Sequence, residues 1–270
     1  MCRWLAYSGR PILLSTMILD PEHSLIDQSL RAKRTQHTTN GDGFGVGWYD
    51  KRTEPGLFRD TLPAWNDENL KNLSQHIESR LFFAHVRAST GTAIMRPNCH
   101  PFRYGRWLFM HNGAIGGFDE VRRELDNLIA PSYYRHRLGT TDSETIFYLM
   151  LSNGLEREPE AAIAATIAAI LRVAASASGE RRFSFTAALS DGERVYAVRF
   201  SSDRTSPSLY FSQTARIFDD LGIDPGRRDP HPMLIVSEPL DSSSEHWHEV
   251  GEGEMIVAHG GKVAQRPFLP

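Results

Sequence analysis

Cysteine is nearly missing from this chain: Cys2 and Cys99 are the only two in 270 residues. Two thiols make no disulfide framework, and a reducing, cytoplasmic setting is expected. Runs of one charge are also lacking. The 30 Lys and Arg are scattered among 33 Asp and Glu, for a net charge of -3. That leaves no basic face for a phosphate backbone, so nucleic acid is not an expected partner. No apolar run reaches the roughly 18–20 residues that a bilayer span needs. The most apolar stretch, AAIAATIAAILRVAA (161–175), carries Arg172 and reads as a packed Ala-rich helix, so no membrane is expected either. Arg3, Arg10 and Pro11 interrupt any signal-peptide core near the N-terminus. There is no internal repeat, and no linker rich in Pro, Gly or Ser divides the chain. One domain over residues 2–270 is expected. Neither a CxxC nor an HExxH pattern occurs. EHWHE (245–249) would put His246 and His248 on one face of a strand, but no third ligand accompanies them. A rim or surface role is expected there, with no metal and no cofactor.

What is present is an ordinary globular balance, 40% hydrophobic and 23% charged. Strand-like runs alternate in blocks with amphipathic helices. CRWLAY (2–7), GFGVGWYD (43–50), LFFAHVR (81–87) and RWLFMHN (106–112) have strand character. PEHSLIDQSLRAKR (21–34), NDENLKNLSQHIESR (66–80), FDEVRRELDNLI (118–129) and TDSETIFYLML (141–151) have helical periodicity, the last opening with a Thr141-x-x-Glu144 capping box. Five further strand-like runs follow the Ala-rich helix: FSFTAALSD, RVYAVRF, SLYFSQ, MLIVSE and EMIVAHGGKV. The charged stretch 217–232 is the best loop candidate. Strands and helices in blocks, without strict βαβ order, point to antiparallel sheets faced by helices in one α+β domain.

TNGDGFGVGW places Gly41, Gly43, Gly45 and Gly47 at every second position. A dinucleotide fingerprint needs G-x-G-x-x-G between a strand and a helix, and this spacing is different. Period two instead strips one strand face of side chains, while Phe44, Val46 and Trp48 fill the other. Such a face serves either close packing of two sheets or the floor of a site.

Four short segments carry chemistry. Cys2 follows the initiator directly; it is either a small buried hydrophobe or, once Met1 is removed, a thiol and a free α-amine on one residue. Such a residue is nucleophile and base together. Their ordinary pKa values are close, about 8.5 and about 7.7–8.0, so proton exchange is nearly balanced. Asn112-Gly113 taken alone is a strong hairpin-turn signal, but it also supplies a side-chain amide and a backbone N–H for an oxyanion. Arg87 reads either as a strand-end charge or as a fork for a carboxylate. Asp142 reads either as a first-turn acid or as a partner for an ammonium. Carboxylate plus ammonium is the head group of an α-amino acid with its amide on the side chain: glutamine or a γ-glutamyl conjugate. His85 and His111 read as hydrogen-bonded core histidines, and Cys99 as a spectator thiol.

MCRWLAYSG, NGDGFGVGWY, HVRASTG, CHPF, HNG and TDSE stand in the order seen in class II glutamine amidotransferases, the N-terminal-nucleophile hydrolases, and the chain resembles that family over nearly its whole length. Within it, the sequence is most similar to stand-alone proteins related to the γ-glutamyl hydrolase of ergothioneine biosynthesis, including SEPLDSSSEHWHEV near the end. The resemblance implies a four-layer αββα sandwich of two antiparallel sheets. It implies Cys2 as nucleophile after loss of Met1, with Asn112 and Gly113 as the oxyanion hole. Arg87 with Thr90 would take the substrate α-carboxylate, Asp142 its ammonium, and His100 would line the pocket. Ala88 stands where many synthase-fused members carry Trp, which suits a different leaving group. The expected activity is cleavage of a γ-glutamyl amide. The alternatives are a glutaminase subunit passing ammonia to a separate synthase, and a non-catalytic γ-glutamyl-binding module. Oligomeric state is not legible.

Overall fold

The computed structural model describes residues 2–31, 39–89, 91–176, 181–212, 216–220, 232–268 and 270. In chain order its strands are β1 (Arg3–Leu13), β2 (Phe44–Tyr49), β3 (Gly56–Asp60), β4 (Glu78–Val86), β5 (Phe102–Tyr104), β6 (Trp107–Ile115) and β7 (Phe183–Ser190). They continue with β8 (Val195–Ser201), β9 (Tyr210–Ser212), β10 (Met233–Val236), β11 (Trp247–Glu249), β12 (Glu254–His259) and β13 (Lys262–Pro267). The helices are α1 (Ser15–Ile18), α2 (Leu25–Leu30), α3 (Glu68–Ser74), α4 (Phe118–Asn127), α5 (Pro131–Tyr134), α6 (Asp142–Ser152), α7 (Pro159–Ser176) and α8 (Arg216–Asp220). Among the described residues one sheet runs β11-β9-β10-β1-β4-β2-β3 and the other β13-β12-β8-β7-β6-β5. Every pairing is antiparallel.

Side-chain alternation stacks these sheets into four layers. On β1, Trp4 and Ala6 turn inward to meet Leu108 and Met110 of β6 and Ala188 of β7. Leu5 and Tyr7 turn outward, into a cluster with Met17 and Ile18 of α1, Leu25 of α2 and Phe218 of α8. On the far side, Phe109 and Phe185 pack beneath α4, α6 and α7. The Ala-rich α7 buries Ala162, Ile163, Thr166, Ile167, Ile170 and Val173, a stripe at helical spacing that lies in this outer core. The α+β, αββα architecture is therefore the one observed.

Several elements depart from their sequence patterns. The helix expected over 66–80 stops at Ser74, because residues from Glu78 onward are taken into β4, where Glu78 pairs with Leu13 of β1. Over 21–34 only Leu25–Leu30 is helical, starting where the Ser24 side chain accepts from Asp27 N at 3.1 Å; residues 32–34 lie outside the described set. EMIVAHGGKV is a hairpin, not one strand. His259 faces Lys262 across Gly260 and Gly261, both at positive φ (56° and 72°), as a two-residue primed turn requires. The stretch 217–232 begins inside α8, and its residues 221–231 lie outside the described set.

The glycine run is resolved in favour of close packing. Gly45 and Gly47 present the inner face of β2. A Cβ on Gly45 would come within 2.2 Å of the His100 carbonyl oxygen, and one on Gly47 within 2.9 Å of Leu108 and 3.0 Å of Pro101. The second sheet and the His100–Pro101 segment fill the space that side chains would take.

Gly45→Ala must push the His100 backbone away, and overpacking of this kind costs about 1–3 kcal/mol. Urea unfolding is expected to show a loss in that range or above, and a variant as stable as the parent would contradict this packing.

Candidate active site

Cys2 precedes β1 by one residue, and alternation puts its side chain on the same inner face as Trp4 and Ala6. Arg3, on the opposite face, holds this start of the chain in place. Its buried Nε meets Glu238 Oε2 at 2.6 Å, and its Nη1 donates to the Cys2 carbonyl at 2.9 Å. Cys2 Sγ lies 3.6 Å from the Ala88 carbonyl oxygen. Burial pushes the Cys2 thiol up, against the pull of the Ala88 main chain and of nearby positive charge that includes Arg87 and Arg3. The sulfur is thus a neutral thiol that needs a base.

Asn112 and Gly113 lie within β6, opposite Thr186 and Phe185 of β7, and are not a turn. The hairpin reading fails because the strand runs on to Ile115. Asn112 points inward and is 3% exposed, and its Nδ2 has no hydrogen-bond partner among the described residues. A buried amide donor left unmatched costs about 1–3 kcal/mol, so it calls for a partner. Gly113 is required by its surroundings, since a Cβ there would come within 2.0 Å of the Ser184 carbonyl oxygen and 2.5 Å of His111 Nε2. Ile115 N–H donates to Asp142 Oδ2 at 2.9 Å, away from β7. The alternation of an antiparallel ladder turns the Gly113 N–H the same way, out of the β6–β7 ladder.

Cys2, Ala88, Asn112, Gly113, Ser184 and Arg182 share the wall of a cavity of about 240 Å³. Of the residues singled out in the sequence, the structure gathers Cys2, Ala88, Asn112 and Gly113 there. Arg87 stands behind this wall, 3% exposed. Its Nη1 donates to the Asp42 carbonyl at 3.3 Å, and its Nη2 donates to the hydroxyls of Ser89 (3.1 Å) and Thr92 (2.6 Å). Asp142 lies on the helix side of β6, where Oδ1 accepts from Ser143 N at 2.7 Å and Oδ2 from Ile115 N. Thr90 lies outside the described residues. The capping box is half formed: Thr141 Oγ1 accepts from Glu144 N, while the Glu144 carboxylate accepts from Leu138 N and Gly139 N instead of reaching back.

His85 on β4, His100 just before β5 and His111 on β6 are all buried. His100 stacks on His85 with ring centroids 4.2 Å apart, and no ring nitrogen of either has a partner among the described residues. Burial lowers both, His85 to about 3 and His100 well below the usual imidazole range. His111 Nε2 lies 3.2 Å from the Ser184 carbonyl, which can only accept, so this nitrogen carries the proton and Nδ1 accepts from Ser143 Oγ at 2.9 Å. Burial lowers it as well, opposed by Asp142. Cys99 is fully buried, with its thiol raised by burial and directed at the Asp60 carbonyl at 3.3 Å. Among the described residues no group of three or more His, Cys, Asp or Glu is placed to hold a metal ion.

Sequence reasoning missed Arg182, Ser184 and Pro207 as cavity walls. For Ser184 a signal existed, because Ser184 and Thr186 put polar side chains on the inward face of a strand whose outward face is wholly apolar. Arg182 reads as a turn charge, and nothing local marks Pro207.

The class II glutamine amidotransferase family model matches residues 1–267. The probable glutamine amidotransferase DUG3 of Saccharomyces cerevisiae is 33% identical over 303 residues, which take in 100% of this chain and 85% of that protein. The gamma-glutamyl-hercynylcysteine sulfoxide hydrolase of Mycolicibacterium smegmatis is 26% identical over 270 residues, 99% of this chain and 100% of that one. Among solved structures, a glutamine aminotransferase class-II domain protein from Silicibacter pomeroyi superposes with a TM-score of 0.74 at 37% identity, covering 100% of both chains. Glutamine phosphoribosylpyrophosphate amidotransferase from B. subtilis superposes at 0.67 with 14% identity, over 99% of this chain and 49% of that one, a likeness of fold alone.

With Met1 retained, alkylation of Cys2 by iodoacetamide is expected to quicken with pH beyond about 8.5, the ordinary thiol value. Peptide mapping separates Cys2 from Cys99. A rate that levels off below about pH 8 would show a thiol that burial does not hold neutral.

Proposed function

The chain belongs to the class II glutamine amidotransferase family, and on that footing we propose that it cleaves the γ-amide of glutamine or of a γ-glutamyl conjugate through an acyl-enzyme on Cys2. Removal of Met1 leaves the Cys2 α-amine beside its own thiol. The amine takes the thiol proton, and the sulfur attacks the γ-carbonyl carbon. Charge gathers on the former carbonyl oxygen, where Asn112 Nδ2–H and the Gly113 N–H are its donors. The intermediate collapses when the ammonium returns its proton to the departing nitrogen. An amine or ammonia leaves, and a γ-glutamyl thioester remains. Water, deprotonated by the same amine, then attacks the thioester and releases glutamate and the free thiol.

One observation carries this reading: the Asn112 amide nitrogen, buried on the wall that Cys2 shares, has no hydrogen-bond partner among the described residues. A donor held out of water and unpaired is suited to an oxygen that becomes negative only during the reaction. Arg87 and Asp142 carry the signs needed for a substrate carboxylate and ammonium. Substrate carboxylate oxygens would take the place of the Ser89 and Thr92 hydroxyls on Arg87 Nη2, a charge-assisted exchange for neutral acceptors. No cofactor is needed for any step.

Cys2→Ala is expected to abolish γ-glutamyl amide hydrolysis, and the active protein to lack Met1 by intact mass. Asn112→Ala is expected to lower kcat by about 10²–10³ with little change in KM. Turnover by Cys2→Ala, or an Asn112→Ala loss confined to KM, would overturn the assignment.

A further inference from the structure

The cavity that holds Cys2 extends well past it. Ammonia is about the size of water, whose share of liquid volume is about 30 Å³, whereas the cavity is about 240 Å³. From Asn112 its wall follows Ala114 of β6 and then Gly116, one residue past the strand. At about 3.3 Å per residue this is a path of about 13 Å from Asn112 to Gly116. Small side chains keep it open. It ends at Arg182, whose carbonyl accepts from Gly116 N at 2.7 Å. Pro207, whose carbonyl accepts from Thr186 Oγ1 at 2.9 Å, lines it as well.

Arg182 is held in one orientation. Its Nε meets Asp203 Oδ2 at 2.8 Å, and its Nη2 donates to the Thr205 carbonyl at 2.5 Å. Nη1 has no partner among the described residues. A guanidinium fixed by two of its donors, on a residue that lines the cavity, matches a planar oxyanion.

Resting on the γ-glutamyl reading above, we infer that Arg182 selects the amine half of the substrate: the leaving group carries a carboxylate several bonds beyond the scissile nitrogen, and Arg182 receives it. The substrate class is then a γ-glutamyl peptide or similar γ-glutamyl amino-acid conjugate, in preference to glutamine. Asp203 already balances the charge, and the Arg182 side chain is 51% exposed. Screening therefore keeps the preference modest, about fivefold.

The test compares kcat/KM for γ-glutamyl-alanylglycine with that for its C-terminal carboxamide, and includes glutamine. In the unaltered chain the acid is expected to exceed the amide about fivefold. Arg182→Gln should bring the ratio to about one, with Arg182→Lys in between, since a lysine keeps the charge and loses the fork. Because each ratio is taken within one protein, altered stability does not enter it. A ratio near one in the unaltered chain, or a ratio unchanged by Arg182→Gln, overturns the role of Arg182 alone. A chain that hydrolyses none of the three compounds loses the γ-glutamyl reading and this inference with it.

Discussion

The separation of the two sheets where β2 crosses the His100–Pro101 segment governs the rest of the molecule. Gly45 and Gly47 leave that face bare, and the His100 carbonyl, Pro101 and Leu108 occupy it. The same bareness lets the Arg59 stem lie over Gly45 and its Nη1 reach the Cys99 carbonyl at 3.0 Å. Because β2 pairs with β4 and β4 with β1, the spacing set at β2 is passed across the sheet to the start of β1. There it brings Cys2 onto the cavity wall it shares with Asn112 of the facing sheet. A strand face without side chains thus acts at a distance on a site it does not line.

Close packing also decides which groups can move protons. Burial drives His85, His100 and His111 toward the neutral form, and His111 spends both ring nitrogens on Ser143 and Ser184. A base must gain a proton readily near neutral pH, and a desolvated imidazole does so poorly. The Cys2 thiol is held neutral by the same desolvation. An amine on the very residue that carries the sulfur avoids both difficulties, since it needs no second buried side chain and is placed by the same bonds.

Much of the fold was legible because it rests on local rules. Inside–outside alternation on β1, β6 and β7 is visible as Trp4/Leu5, Met110/Phe109 and Ala188/Phe185, and the two faces fall into different cores. The α7 stripe and the Thr141 cap are equally local. What failed depended on pairing. Nothing in ESR (78–80) says that β1 will claim it, and Asn-Gly looks like a turn until β7 holds it extended. The site divides in the same way. Cys2, Asn112 and Gly113 carry their chemistry in their own atoms. Arg182 and Pro207 matter only through a cavity formed between β6, the start of β7 and the loop before β9, which no spacing in the sequence encodes.

The cavity wall at Ala88 bears on the fate of the acyl group. A large aromatic side chain next to Arg87 would cover the space beside the sulfur, whereas Ala88 leaves it open toward Ala114, Gly116 and Arg182. An enzyme that passes ammonia onward gains from a closed wall, because ammonia lost to solvent is protonated and no longer nucleophilic. An open wall has the opposite effect. On the mechanism proposed above, it would admit a leaving group larger than ammonia, and water would then reach the thioester by the same route, so that the space left by Ala88 would favour a bulky amine and hydrolysis together.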